Sequence, residues 1–206
     1  MDSPIYERFC RFISYLLHPF LIPTLAAALL LFGPTVLSGI ALGIKGFLFS
    51  VVVLNTLILP AASVGLFRLF RVIPDLSLSE PRQRILPMAV IAACYLLCIL
   101  LFRRVAVAFL IERFMIAALC CVVLVFVVNL YWKISLHMTA MGGLLGLLAV
   151  LDYSGLAHVQ GLLAMFVLLA GLLASARLQL GSHDMGQILA GLGAGCVVTI
   201  VSVLCF

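Results

Sequence analysis

The sequence predicts an all-α, polytopic membrane helix bundle with six or seven transmembrane helices, forming a single domain over residues 1–206. Three observations predict it. Hydrophobic residues make up 66% of the chain and charged residues only 9%, against roughly 45–50% and about 25% in soluble domains. Mean hydropathy is +1.37. Apolar runs near the length that crosses a bilayer, about 20 residues, recur between short polar breaks. A soluble fold of this size lacks the charge to cover its surface. The same arithmetic excludes a secreted disulfide scaffold, a disordered tail and a nucleic-acid-binding module. The net charge of +5 suits contact with anionic lipid head groups.

The polar breaks place helices at about 14–32, 38–67, 86–102, 106–130, 134–151, 157–176 and 185–205. Arg8 and Arg11 precede the first. No small-residue cleavage site follows them, so the segment reads as a retained helix rather than a signal peptide. Gly33 and Pro34 end this helix; His18 before Pro19 could line a cavity, though packing within the helix is the favoured expectation. The second run is long, which predicts a tilt or a kink near Pro60. Arg103 and Arg104 separate the third helix from the fourth. Gly142, Gly143 and Gly146 predict close helix approach in the fifth, and Asp152 to Gly155 a tight turn after it. Asn55 and Asn129 are expected to form hydrogen bonds between helices. The seven cysteines lie mostly in apolar runs without metal-ligand spacing, and read as small buried hydrophobes.

Seven crossings place the N-terminus and the breaks at 68–85, 131–134 and 177–184 on one side. That side holds eight arginines and lysines and the other four. The excess would make it cytoplasmic. If Arg82, Arg84, Lys133 and Arg177 are retained for chemistry, the count falls to four against four, and orientation stays open.

Ionisable groups in membrane helices are costly and point to function. Two clusters stand out, Trp132 to Thr139 and Ala176 to Gln187, each predicted at a helix start. Helix N-termini present unpaired N–H groups and a positive dipole end, which suit an anion. A third basic cluster, Glu80 to Arg84 with Pro87 beyond, opens the third helix. Two histidines and several cations therefore converge on one face. Phosphoryl transfer asks for such a set: a nucleophile, a proton donor and fixed positive charge. Lys133 with Trp132 also fits a membrane-interface anchor.

The Ala176–Gln187 cluster resembles the third signature of the type-2 phosphatidic acid phosphatase superfamily: Ser-Arg, five residues, His, three residues, Asp. Arg177 and His183 match at the family spacing, and Gly191 and Gly195 are similar to the small-residue helix that follows. Ser135 and His137 resemble the second signature, Pro-Ser-Gly-His, and Arg82 to Pro87 loosely resembles the first. The resemblance covers roughly residues 77–205. It departs from the pattern at Leu136 for Gly, Ala176 for Ser and Gln187 for the Asp, and no Lys stands at the first signature's distance.

The resemblance implies a lipid phosphatase of a membrane, bacterial and inner by family habit, that uses no metal or other cofactor. Its substrate would be a lipid phosphate or diphosphate: polyprenyl diphosphate, phosphatidic acid, phosphatidylglycerol phosphate or a lipid A phosphate. His183 would attack phosphorus and form a phosphohistidine, with His137 protonating the leaving oxygen and then activating water. Arg177, Arg84, Arg82, Lys133 and Ser135 would bind the phosphate. Gln187 or Asp184 would orient the nucleophile in place of the family Asp. The alternative is a catalytically impaired member that binds or moves phosphorylated lipids. A third possibility, a purely structural bundle, predicts that Arg177 and His183 share no pocket with His137.

Overall fold

The structure, a computed structural model, describes residues 4–71 and 81–205, with the side chains of residues 81–84 outside the description. Among the described residues it is all helix, apart from one isolated antiparallel bridge between Thr35 and Ala157. The helices are α1 (Pro4–Leu16), α2 (Leu21–Phe32), α3 (Leu42–Val53), α4 (Leu59–Leu69), α5 (Pro81–Phe102), α6 (Phe109–Asn129), α7 (Leu136–Tyr153), α8 (Gln160–Gln179) and α9 (Met185–Cys205). Six spans are long and apolar enough to cross a membrane, with α3 and α4 forming one of them. The pair α1 and α2 makes a seventh if its two parts count as one span. The chain is an integral membrane protein.

The continuous first helix expected over 14–32 is not what forms. The chain breaks between Leu16 and Leu21, and α1 and α2 meet at a bend of 55°. The cause is local. Pro19 has no N–H to continue the helix, and it pushes His18 away from helical backbone angles. The helix restarts with Leu21 N–H donating to the His18 carbonyl at 2.8 Å. On α1, Cys10, Ile13 and Ser14 are buried, while Ile5, Phe9, Phe12 and Leu16 are exposed.

The irregularity expected near Pro60 takes the form of a single wide π turn, Leu54–Ile58, between α3 and α4. Pro60 has no N–H to give the Thr56 carbonyl one turn earlier, and a wider turn relieves the mismatch. Thr56 is buried there, its hydroxyl 3.0 Å from that of Thr24 on α2. Asn55 donates back to the Val51 carbonyl of its own helix at 2.9 Å. Among the described residues the interhelical bond expected of it is not formed.

The core centres on α7, where Met138, Met141, Leu144, Leu147 and Leu148 are fully buried. Glycine makes this possible. A Cβ on Gly142 would collide with the Leu192 carbonyl of α9, and one on Gly195 with the Thr139 carbonyl of α7. A Cβ on Gly146 or Gly191 would likewise stand only 2.6 or 2.8 Å from the Cys196 or Ser135 carbonyl oxygen of the partner helix. Small residues that let backbones touch are a main way membrane helices associate, because lipid supplies no hydrophobic drive between them. The contact locks the start of α7 beside the start of α9, and Ser135 N–H reaches the Gln187 carbonyl at 3.4 Å. At the opposite end, Val36 N–H donates to the Leu156 carbonyl at 3.1 Å and ties two loops of the other face together. Gly155 takes the left-handed φ of 66° in the turn after α7.

Candidate functional site

The end of α6 and the starts of α7 and α9 frame a cleft of about 590 Å³. Its polar walls are His18, Lys133, His137, Arg177, Ser182 and His183. Its apolar walls come from Val64 of α4, Met88 and Ile91 of α5, Val125 of α6 and Leu136 of α7. His137, Arg177 and His183 therefore share one pocket, which a purely structural bundle does not predict.

His183 stands in the loop just before α9. Its Nδ1 lies 2.9 Å from the Gln187 amide oxygen. A carbonyl oxygen only accepts, so Nδ1 carries a proton, and in the neutral ring the lone pair is then on Nε2. That is the tautomer a nitrogen nucleophile needs. Asp184, the other candidate to orient His183, does something else. Its carboxylate accepts the Gln187 N–H at 2.8 Å and caps the start of α9, as an N-cap Asp does three residues before a helical N–H. So the amide, not the carboxylate, holds the histidine.

His137 occupies the first turn of α7, and its Nε2 lies 3.2 Å from the Ser14 carbonyl. By the same reasoning Nε2 carries a proton and donates it to α1. Ser14 is thereby linked to the site across 123 positions of sequence. Ser135, expected to bind phosphate, is fully buried and outside the cleft walls. Its hydroxyl accepts the Met138 N–H at 3.4 Å and caps α7. The cap positions His137 but takes Ser135 away from the ligand.

Arg177 was expected in a loop before the last helix, and instead occupies the last turn of α8. There its positive charge complements the negative end of the helix dipole. The Arg177 carbonyl accepts Ser182 N–H at 3.2 Å, and Gly181 turns the chain with a φ of 59°. These bonds fold the 180–184 loop back over the arginine. The Arg177 Nε is buried and has no hydrogen-bond partner among the described residues. Buried donors are normally paired, and an anion in the cleft would supply the acceptor. Lys133 is exposed at the cleft wall. The side chains of Arg82 and Arg84 lie outside the described residues.

No protein-family model matches the chain, nor does any curated protein or solved structure.

Two further residues line the cleft. Asn129 lines the cleft and accepts Ile134 N–H at 3.2 Å, closing the α6–α7 loop locally. His18, expected to pack within a helix, also lines the cleft, with its ring edge-on to His137 at 5.5 Å between centroids. The sequence signal was Pro19, which breaks a span and frees the preceding residue from a helix surface. The assembled set offers one nitrogen lone pair, two further imidazoles, a guanidinium and an ammonium around a volume that fits a phosphate. Among the described residues no three His, Cys, Asp or Glu side chains are placed to hold a metal.

Proposed function

We propose that this protein is an integral membrane lipid phosphatase, acting on a lipid phosphate or diphosphate through a phosphohistidine on His183. The observation that carries the reading is the His183–Gln187 bond inside a cleft that also holds His137 and Arg177. His183 Nε2 attacks phosphorus, the N–P bond forms, and the P–O bond to the lipid breaks with its electron pair leaving on oxygen. His137 keeps its Nε2 proton on the Ser14 carbonyl and, having taken a second proton from water at Nδ1, gives that Nδ1 proton to the leaving oxygen. It later takes one from the water that releases phosphate. Arg177 holds the phosphate oxygens, and a guanidinium suits that geometry better than an ammonium does. Lys133 adds positive charge at the cleft wall.

A lipid substrate is favoured by the apolar walls. A smaller apolar cavity of about 60 Å³ adjoins the cleft and shares Pro19, Phe20, Met88, Ile91 and Leu136 with it. A phosphate bound at Arg177 can extend its hydrocarbon chain along these residues. The resemblance of Arg177, His183, Ser135 and His137 to the type-2 phosphatidic acid phosphatase signatures points the same way. The test is phosphate release by purified protein from a panel of lipid phosphates and diphosphates. Turnover should survive chelator and be inhibited by vanadate, which mimics five-coordinate phosphorus. A protein that releases nothing from the panel is not this enzyme.

One observation favours a second reading. Gln187 cannot stabilise an imidazolium by charge as an aspartate does, so the same cleft suits a protein that binds or moves phosphorylated lipids without hydrolysing them. Binding or flipping that is indifferent to His183→Ala, with no phosphate released, selects that reading.

A further inference from the structure

His18 belongs to none of the three signature-like clusters, yet it stands in the same cleft. Its surroundings fix its chemistry. The break between α1 and α2 leaves Phe20 N–H without a helical acceptor, and this N–H lies 3.3 Å from His18 Nδ1. A backbone N–H only donates, so Nδ1 accepts, and the proton of the neutral ring resides on Nε2. The Phe20 ring packs edge-on against the imidazole at 4.9 Å between centroids, and the His137 ring does so on another side at 5.5 Å. The imidazole is thus held between two rings and one backbone bond.

The neighbouring histidine is committed elsewhere. His137 spends its Nε2 proton on the Ser14 carbonyl, just before the same break. The wall shared by α1, α2 and α7 therefore presents two imidazoles whose protons have different uses, one on backbone and one available to the cleft. Arg177 and His183 face the same volume. A phosphate drawn to Arg177 has more oxygens than one guanidinium satisfies.

We propose that His18 is a phosphate-binding residue of this site, its Nε2–H donating to a non-bridging phosphate oxygen. The inference rests on the phosphate reading of the cleft but needs no turnover. The break at Pro19 is then what brings a donor from the N-terminal helix pair to a pocket otherwise built from α4 to α9. The ligand chemistry is a tetrahedral phosphate or its vanadate analogue, carried by a lipid head group or free in solution.

The test is equilibrium binding to full-length protein in detergent, with three probes: orthovanadate, inorganic phosphate and a short-chain phosphatidic acid. Three proteins are compared: wild type, His18→Ala and His18→Gln. Glutamine can place an amide N–H near the position of Nε2, so it should rescue, while alanine should not. His18→Ala is expected to weaken vanadate binding about tenfold or more, the worth of a hydrogen bond to a charged group. His18→Gln should recover most of that loss. Phosphatidic acid binding more tightly than inorganic phosphate identifies the head group as the ligand's source, and equal affinities identify the free anion; His18→Ala must weaken the favoured one in either case. Unchanged vanadate affinity in His18→Ala overturns the proposal, as does a wild type that binds none of the three probes. Phosphate release from lipids is scored separately. Turnover that ignores His18 leaves the phosphatase standing and removes this proposal, whereas His18-dependent binding without turnover does the reverse.

Discussion

His183 and Gln187 sit one helical turn apart at the start of α9, with Nδ1 and the amide oxygen 2.9 Å apart. In the signature that residues 176–187 resemble, an aspartate stands at the position of Gln187. An amide can hold one tautomer and one ring orientation, but it adds no negative charge when the imidazole becomes cationic. In serine protease triads, replacing the orienting carboxylate by an amide costs about 10⁴-fold in rate through the wrong tautomer. Here the amide oxygen faces the ring, so the tautomer is right and only the charge is missing.

This separates two variants. Gln187→Asp adds a negative charge at the same position and should raise the turnover number, read as phosphate release per protein under saturating lipid. Gln187→Leu removes the acceptor and should lower it by about 100-fold or more, general acid–base and orientation effects being of that order. Equal rates in both variants would show that the bond at His183 Nδ1 has no part in the chemistry.

Ser135 provides a control for what the cleft contains. Because its hydroxyl caps α7 and lies outside the walls, Ser135→Ala should reduce stability by about 1 kcal/mol, the usual worth of a cap. Vanadate affinity should remain within about twofold of wild type, well below the cost of losing a charged hydrogen bond. Thermal unfolding in detergent and a binding titration read the two effects separately. A large loss of affinity with unchanged unfolding would return Ser135 to the ligand set.

Helix packing gives a test independent of function. Gly195→Ala puts a methyl group against the Thr139 carbonyl and should destabilise by about 1–3 kcal/mol, the range for overpacking. Gly193→Ala, two residues away, meets nothing within 4 Å and should be neutral or slightly stabilising, since alanine favours helix over glycine. Comparable unfolding of the two variants in one detergent would contradict the α7–α9 interface.

Arg177→Lys keeps the charge but loses the planar donor fork, and Lys is not an equivalent replacement at such a site. Phosphate affinity should fall by about tenfold, as for one charge-assisted hydrogen bond, with unfolding unchanged. An affinity equal to wild type would make Arg177 a helix-end charge only.

Much of the architecture was legible because membrane spans announce themselves by length and apolarity. Six spans lie close to where the polar breaks set them, from the α3–α4 run to α9. The first did not, because a hydropathy run does not register a helix stop. Pro19 carried that information, and it was read as a residue inside a helix. Arg177 was assigned to a loop because charge normally marks a span's end, yet α8 continues through it to Gln179. Asp184 and Gln187 were both offered as orienters of His183. Choosing between them needed the helix start to be fixed to the residue, since the N-cap position commits Asp184 to the backbone. The pairing of His137 with Ser14 spans 123 positions, and no local pattern encodes it.

The most direct measurement of the central claim is trapping of the covalent intermediate. Purified protein is mixed with a lipid phosphate labelled on phosphorus, quenched within milliseconds to seconds, and the protein-bound label is tested for stability. The account predicts label that is acid-labile and base-stable, as phosphohistidine is, mapping to His183 and absent from His183→Ala. Phosphate release without any such label, or label that persists in His183→Ala, would contradict it.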